Sequence, residues 1–482
     1  MDVYEQLSEP LALATFAVTL LLPVLVGFLA RRRARTESDF FVGGRAMNRV
    51  VVALSAVSSG RSSWLVLGVS GMAFLRGASA LWAVAGYTLV EALQFLWIGR
   101  RLRAEAQAAD AVTLFDWFAA RFDGDGVAVR VTGAAITVVF LTAYVAAQLL
   151  GGAKTLAAAL GLPHLVALAA AALLILVYML LGGYVAVAWN DVVRALIMLL
   201  GLLVLPAAAL ARIGGPAALR SGLAAIDPGL VDPFALSAGA LIGFLGIGLG
   251  SPGQPHILVR YISIDDPRNL VVSAAWGTAF NVLLGAGAVA VGLVGRVLVG
   301  DAAALPGGDQ EMVYLVLAAD LFGPLLYGLL VGGVFAAILS TADSQLLVVA
   351  STVVRDLWEK ALRRGEALDE RAKLRVSRIA LLVSAGVALL LAAVARDLVF
   401  WLVLFAWGGL GAALGPPLIC GLWWRGTRRA GVLAGMITGT AVTIVWKLWL
   451  KEPTGLYELV PAFAASLLAV FLGSLAARRA AH

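Results

Sequence analysis

Charge and cysteine are what this sequence has least of. Only 13% of its 482 residues are Asp, Glu, Lys or Arg, against roughly 25% in a soluble domain. With 61% hydrophobic residues, a water-exposed surface could not be covered. The single cysteine, Cys420, excludes an internal disulfide and any cysteine-based metal cluster. Histidine is almost as scarce: His164 starts an apolar run, His482 is terminal, and His256 follows Pro255, where packing or capping is the simpler role. No HExxH, nucleophile elbow, phosphate loop or paired-carboxylate signature occurs in a suitable setting. An enzyme is therefore the weakest reading, and no organic cofactor is expected. The first ten residues carry three acids and no base, unlike a cleavable leader, so the first apolar run is expected to be retained.

What is present is apolar sequence in runs near 20 residues, the length that crosses a bilayer. The runs are continuous and lack the alternation of an outer-membrane barrel. They predict an all-α polytopic membrane protein with about thirteen spans. These fall near 10–30, 47–74, 79–99, 130–160, 163–182, 188–212, 235–258, 270–298, 322–353, 375–395, 399–423, 430–448 and 458–477. The net charge of +7 sits in short loops such as 31–45, 99–112, 355–378 and 423–429. That is the positive-inside pattern of a multi-pass cell (inner) membrane protein, not a nucleic-acid footprint. It places the N-terminus outside and the C-terminus inside.

Glycine, serine and proline interrupt two spans: "SAVSSGRSSWLVLG" (Ser55–Gly68) and "GFLGIGLGSPGQPHILVRY" (Gly243–Tyr261). Unwound backbone in a membrane is tolerated only where protein or a water-filled cavity satisfies it. Glycine alone also serves close helix packing, which would account for one such span. Two at equivalent positions point to an inverted repeat with a binding site at mid-membrane. The expected organisation is an extra helix and loop (1–46), a five-helix repeat (47–212), an external connection (213–234), a second repeat (235–423) and two C-terminal helices (424–482).

Ionisable groups at depth usually mark ion or solute paths. Arg61 lies 12 residues past Arg49, about 18 Å along a helix. Glu91 lies nine residues before Arg100 in the antiparallel neighbour, about 14 Å deep. An Arg61–Glu91 pair and a lone Glu91 lining a vestibule are both open. In "AAILSTADSQLL", Ser340, Thr341, Asp343 and Ser344 gather hydroxyl and carboxylate oxygens within little more than a turn. Hard cations take such ligands, although serine and threonine also bond back to their own helix. Asp191 opens the sixth span, where a helix cap is the simpler role.

The stretches "DFFVGGR", "ALSAVSSGRSSWLVLGVSG", "AVTLFDWFAARF", "AYVAAQLLGGAK", "GGYVAVAWNDVVRA", "GLGSPGQPHILVRY" and "GVFAAILSTADSQLLVVAS", in this order, resemble the solute:sodium symporter family, most closely its proline-carrying branch. The resemblance implies a LeuT-type fold with five-plus-five inverted repeats and alternating access. It implies a main sodium site at Ser58 and Arg61 (backbone), Ala337, Ser340 and Thr341. A second cation site, occupied in some members, would fall at Asp191, Ser340, Asp343 and Ser344. Substrate positions would be Ser62, Trp64, Tyr144, Ile247 and Ser251. The proline branch has an aspartate in place of Gly60 and a methionine in place of Arg61, and Ile247 and Ser251 replace aromatic groups. A guanidinium beside a sodium site repels the ion unless it is paired or turned away.

The expected function is sodium-coupled symport of a small organic solute, a proline-like amino acid or small carboxylate. Sodium is the coupling ion, the lipid bilayer the other partner, and no obligatory protein partner is evident. In that case Arg61 either pairs with Glu91 or grips a carboxylate with its planar fork. The alternative is a sodium-independent, proton-coupled or uncoupled carrier in which Arg61 replaces a cation. A transporter-like sensor is disfavoured by the short tail after the last run.

Overall fold

The computed structural model describes residues 6–30, 42–124, 127–179, 184–363, 370–395 and 398–479. Residues 1–5, most of the basic loop 31–45, the end of the fifth expected span (180–182), the middle of the loop 355–378 and residues 480–482 lie outside the described residues. Among the described residues every regular element is helical. The helices are α1 (Pro10–Ala30), α2 (Arg49–Gly60), α3 (Ser70–Arg76), α4 (Leu81–Leu93), α5 (Arg100–Ala108), α6 (Leu114–Phe122) and α7 (Ala128–Leu160). They continue as α8 (His164–Met179), α9 (Tyr184–Ile213), α10 (Pro216–Ile226), α11 (Ala238–Gly246), α12 (Pro255–Ser263), α13 (Leu270–Val299) and α14 (Val313–Leu321). The remainder are α15 (Pro324–Ser351), α16 (Glu370–Val394), α17 (Val399–Trp423), α18 (Arg429–Val445), α19 (Lys451–Thr454) and α20 (Leu459–Arg479).

Among the described residues, eight helical segments can cross a membrane by length and composition, and five shorter apolar helices accompany them. Large apolar side chains such as Leu21, Leu89, Val139, Leu173, Leu390 and Leu468 are exposed on the outside of the bundle. Water would oppose that arrangement and hydrocarbon tolerates it, because lipid tails are themselves apolar. Helix α15 is buried along most of its length and forms the centre.

Both glycine-rich spans are broken where the sequence predicts. Helix α2 begins on Asn48, whose side-chain oxygen accepts the Val50 N–H at 2.8 Å and so satisfies an end donor. It stops at Gly60, and Arg61 leaves helical geometry with φ −112° and ψ 83°. The chain then re-enters as wide turns over Trp64–Val69 that lead into α3. In the second broken span, tight turns over Ile247–Gly253 separate α11 from α12. Pro255 opens α12, a position where its missing N–H costs nothing. A short backbone bridge ties the two broken spans together: Met47 N–H donates to the Ser263 carbonyl at 3.0 Å, and Asp265 N–H donates to the Met47 carbonyl at 3.1 Å.

The second break packs against α17 without side chains between the backbones. A Cβ on Gly411 would lie 2.4 Å from the Gly250 Cα, and one on Gly253 would lie 2.3 Å from the Leu410 carbonyl oxygen. Small residues thus let the unwound segment touch its neighbour directly. Gly411→Ala is expected to destabilise the protein by about 1–3 kcal/mol through overpacking, seen as a lower unfolding temperature in detergent. An unchanged temperature would contradict this contact.

Candidate functional site

The break after Gly60 brings Arg61 into the protein interior, where it is 1% exposed. A guanidinium there needs a counter-charge, because uncompensated burial costs several kcal/mol. Helix α4 supplies it: Arg61 Nη2 donates to Glu91 Oε2 at 2.6 Å. Arg61 Nε donates to Asn281 Oδ1 at 3.0 Å, and Nη1 donates to the Gly60 carbonyl at 3.0 Å. Asn281 Nδ2 closes the triangle on Glu91 Oε2 at 2.6 Å. The Tyr87 ring covers the guanidinium face at 3.7 Å, a further cation–π stabilisation. Of the two arrangements open from the sequence, the pair is the one formed.

With Arg61 turned toward α4 and α13, the carbonyls of the break face α15. Ser340 Oγ lies 3.2 Å from the Ser58 carbonyl oxygen and 3.0 Å from the Ala337 carbonyl oxygen. Thr341 Oγ1 is buried beside it and has no hydrogen-bond partner among the described residues. Four of the five residues expected around sodium are thus grouped as hard oxygens between α2 and α15. Arg61, the fifth, turns its side chain away from this cluster toward Glu91.

Asp191 is not a cap. Helix α9 begins at Tyr184, about one turn earlier than the apolar run suggests, which puts Asp191 about two turns inside it, and the carboxylate is fully buried. Asp191 Oδ2 accepts from Ser55 Oγ at 2.7 Å, from Ser59 Oγ at 3.1 Å and from Arg260 Nη2 at 3.1 Å. Asp343 Oδ2 accepts from Arg194 Nη1 at 2.5 Å. Ser344 Oγ lies 2.9 Å from the Ser340 carbonyl and 3.3 Å from Ser59 Oγ. The residues named for a second cation site therefore do come together, but Arg194 and Arg260 lie among them.

Of the expected substrate residues, Trp64, Tyr144 and Ile247 line one cavity with Gly60, Arg61, Tyr87, Val403, Leu404 and Trp407. Trp64 stacks on Phe400, with ring centroids 5.8 Å apart, and its indole N–H has no partner among the described residues. Ser62 is buried next to the cavity and accepts the Trp64 N–H at 3.1 Å. Ser251 is also buried but is not among the lining side chains. About 10 Å³ is free in this cavity, room for one water. A solute therefore enters only when the walls part. Ile247 and Leu404 also line a wider vestibule of about 310 Å³ at the Arg76 end. Glu311 accepts the N–H groups of Val399 and Phe400, at 3.0 and 2.8 Å, and so holds the start of α17. Burial raises its carboxyl above the usual carboxylate range.

Comparison with known proteins identifies the family and the fold. The family model described as the sodium:solute symporter family matches residues 40–439. The chain belongs to the sodium:solute symporter family. A sodium/proline symporter of Escherichia coli (strain K12) is 35% identical, over 97% of this chain and 93% of that protein. An osmoregulated proline transporter of Bacillus subtilis (strain 168) is 33% identical, over 95% of this chain and 93% of that protein. Among solved structures, a Na+-coupled sialic acid symporter aligns with a TM-score of 0.80 at 19% identity, covering 96% of this chain and 97% of that one. A nucleobase-cation-symport-1 family transporter aligns with a TM-score of 0.54 at 13% identity, covering 92% and 96%. At such identities the likeness is one of fold, and the fold of this family member is the LeuT type. It is a multi-pass membrane protein of a transporter family.

Asn281, Arg194 and Arg260 were not singled out from the sequence. Each is a polar side chain inside an apolar run, and Arg194 follows Asp191 by three residues, one helical turn. Glu91→Ala is expected to cost about 3–5 kcal/mol, because it leaves a buried guanidinium unpaired. The double variant Arg61→Met/Glu91→Leu should regain most of that loss. Thermal unfolding in detergent compares the proteins, and a double variant no more stable than Glu91→Ala would contradict the pairing.

Proposed function

We propose that this symporter couples sodium entry to uptake of a small zwitterionic amino acid of about the size of proline across the cell membrane, by alternating access. The observation that carries the sodium assignment is the cluster of Ser58 and Ala337 carbonyls with the Ser340 hydroxyl, beside the unpartnered Thr341 hydroxyl. A partly dehydrated sodium ion takes such neutral oxygens, and the nearby positive charge is already matched by Glu91. The roles of Ser58, Arg61 (backbone), Ala337, Ser340 and Thr341 as ligands, and of Ser62, Trp64, Tyr144, Ile247 and Ser251 around the solute, are part of this reading. So are thirteen spans, two inverted five-helix repeats, an external N-terminus and a cytoplasmic Arg100 end.

The solute class follows from charge and shape. With the three kinds of Arg61 nitrogen engaged by Glu91, Asn281 and Gly60, the cavity offers no net charge. A zwitterion suits it better than a carboxylate alone. Two tryptophans, two tyrosines and three aliphatic side chains suit an apolar ring or short branched body. The proline-carrying relatives support the same choice. The sodium-independent alternative, with Arg61 standing in for an ion, gains no support, because Glu91 uses that charge.

Proteoliposomes carrying the full chain, given radiolabelled L-proline under an inward sodium or potassium gradient, test both parts. Accumulation driven by sodium alone is expected. Equal uptake without sodium would overturn the coupling, and sodium binding without proline uptake would overturn the solute. Ser340→Ala/Thr341→Ala should raise the half-saturating sodium concentration at least about tenfold, the equivalent of about 1.4 kcal/mol, with a smaller effect on solute affinity. Unchanged sodium dependence would contradict the assignment.

A further inference from the structure

Asp191 and Asp343 would be half of a second cation site, yet each already faces a cation belonging to the chain. Arg260 on α12 donates Nη2 to Asp191 Oδ2 at 3.1 Å and to Ser344 Oγ at 2.5 Å. Arg194 on α9 donates Nη1 to Asp343 Oδ2 at 2.5 Å, and the same nitrogen lies 4.0 Å from Asp191 Oδ1. The four side chains are at most 5% exposed. Two carboxylates and two guanidiniums sum to zero charge. A further cation would meet two fixed positive groups in a medium of low dielectric and gain no net attraction. Ser340 Oγ is also directed elsewhere, toward the Ser58 and Ala337 carbonyls.

We infer that Arg194 is a built-in cation that closes this second site, so that one sodium ion, held near Ser340 and Thr341, accompanies each transport cycle. The inference rests on the sodium reading above. Arg260 alone would not close the site. Without Arg194, the groups Asp191, Asp343 and Arg260 leave one net negative charge beside the hydroxyls of Ser59 and Ser344. That is one charge and a set of hard oxygens, which suits a single sodium ion. The two arginines also differ in placement. Arg260 is shared with Ser55, at 3.2 Å, and with the His256 carbonyl, so it helps hold α12 against α2. Arg194 meets Asp343 across the α9–α15 contact, and the Asp343 charge that it matches is the one whose release would admit an ion. Arg194 acts on the ion count through Asp343, which makes it a positioning residue for coupling and not a ligand.

Equilibrium binding of radioactive sodium to the purified full chain in detergent, with no solute present, counts the ions directly. Wild type should bind one ion per chain, and Arg194→Lys should also bind one. Arg194→Gln should bind two, the second lost again in Arg194→Gln/Asp343→Asn. A purely structural Arg194 would not add a binding site when removed. Since Arg194→Gln unbalances a buried charge, it is prepared at high sodium, where the ion itself supplies the missing charge. Two ions on wild type, or one ion on an Arg194→Gln protein with normal affinity at the first site, would overturn the inference and leave sodium coupling intact. No ion on wild type would overturn the sodium reading itself.

Discussion

A buried guanidinium must be matched, and the placement of Arg61 follows from that requirement. Helix α2 ends one residue before it, so the side chain leaves the break directly into the protein interior. Only Glu91 on α4, oriented by Asn281 on α13, lies close enough to neutralise it among the described residues. Satisfying the charge there commits the broken span to one rotation. Its Ser58 carbonyl turns toward α15, where the Ser340 hydroxyl meets it. The oxygen-lined face of the break and the disposal of its positive charge are thus two sides of one geometry.

The same rule recurs elsewhere in the bundle. Arg260 and Arg194 match Asp191 and Asp343 between α2, α9, α12 and α15. Nearer the Arg100 end, Arg130 on α7 pairs with Asp116 of α6 and Asp356 beyond α15. Buried pairs of this kind contribute little net stability, since desolvation offsets most of the attraction. What they fix is register: each can be re-formed only when its helices return to the same relative position.

Much of this was legible in one dimension. Two interrupted spans, the Ser340–Thr341 hydroxyls and the possibility of an Arg61–Glu91 pair follow from helix rise and from the cost of charge at depth. The apolar run alone suggests a cap at Asp191, because the run begins beside it, while α9 starts at Tyr184 and carries the carboxylate two turns inward. Arg194, Arg260 and Asn281 were passed over because their importance lies in which helix they face, and a linear pattern does not specify that. Neighbour choice across helices is settled by packing at positions such as Gly250 and Gly411, where backbones meet directly.

The central claim is that the Arg61 charge is spent on Glu91 and not on the ion or the solute. The most direct measurement is the half-saturating sodium concentration for solute uptake in the variant Arg61→Met/Glu91→Gln, which removes both charges together. The account predicts retained sodium dependence with a half-saturating concentration within about threefold of wild type, a change of less than 1 kcal/mol. Sodium-independent uptake, or a shift of tenfold or more, would contradict it.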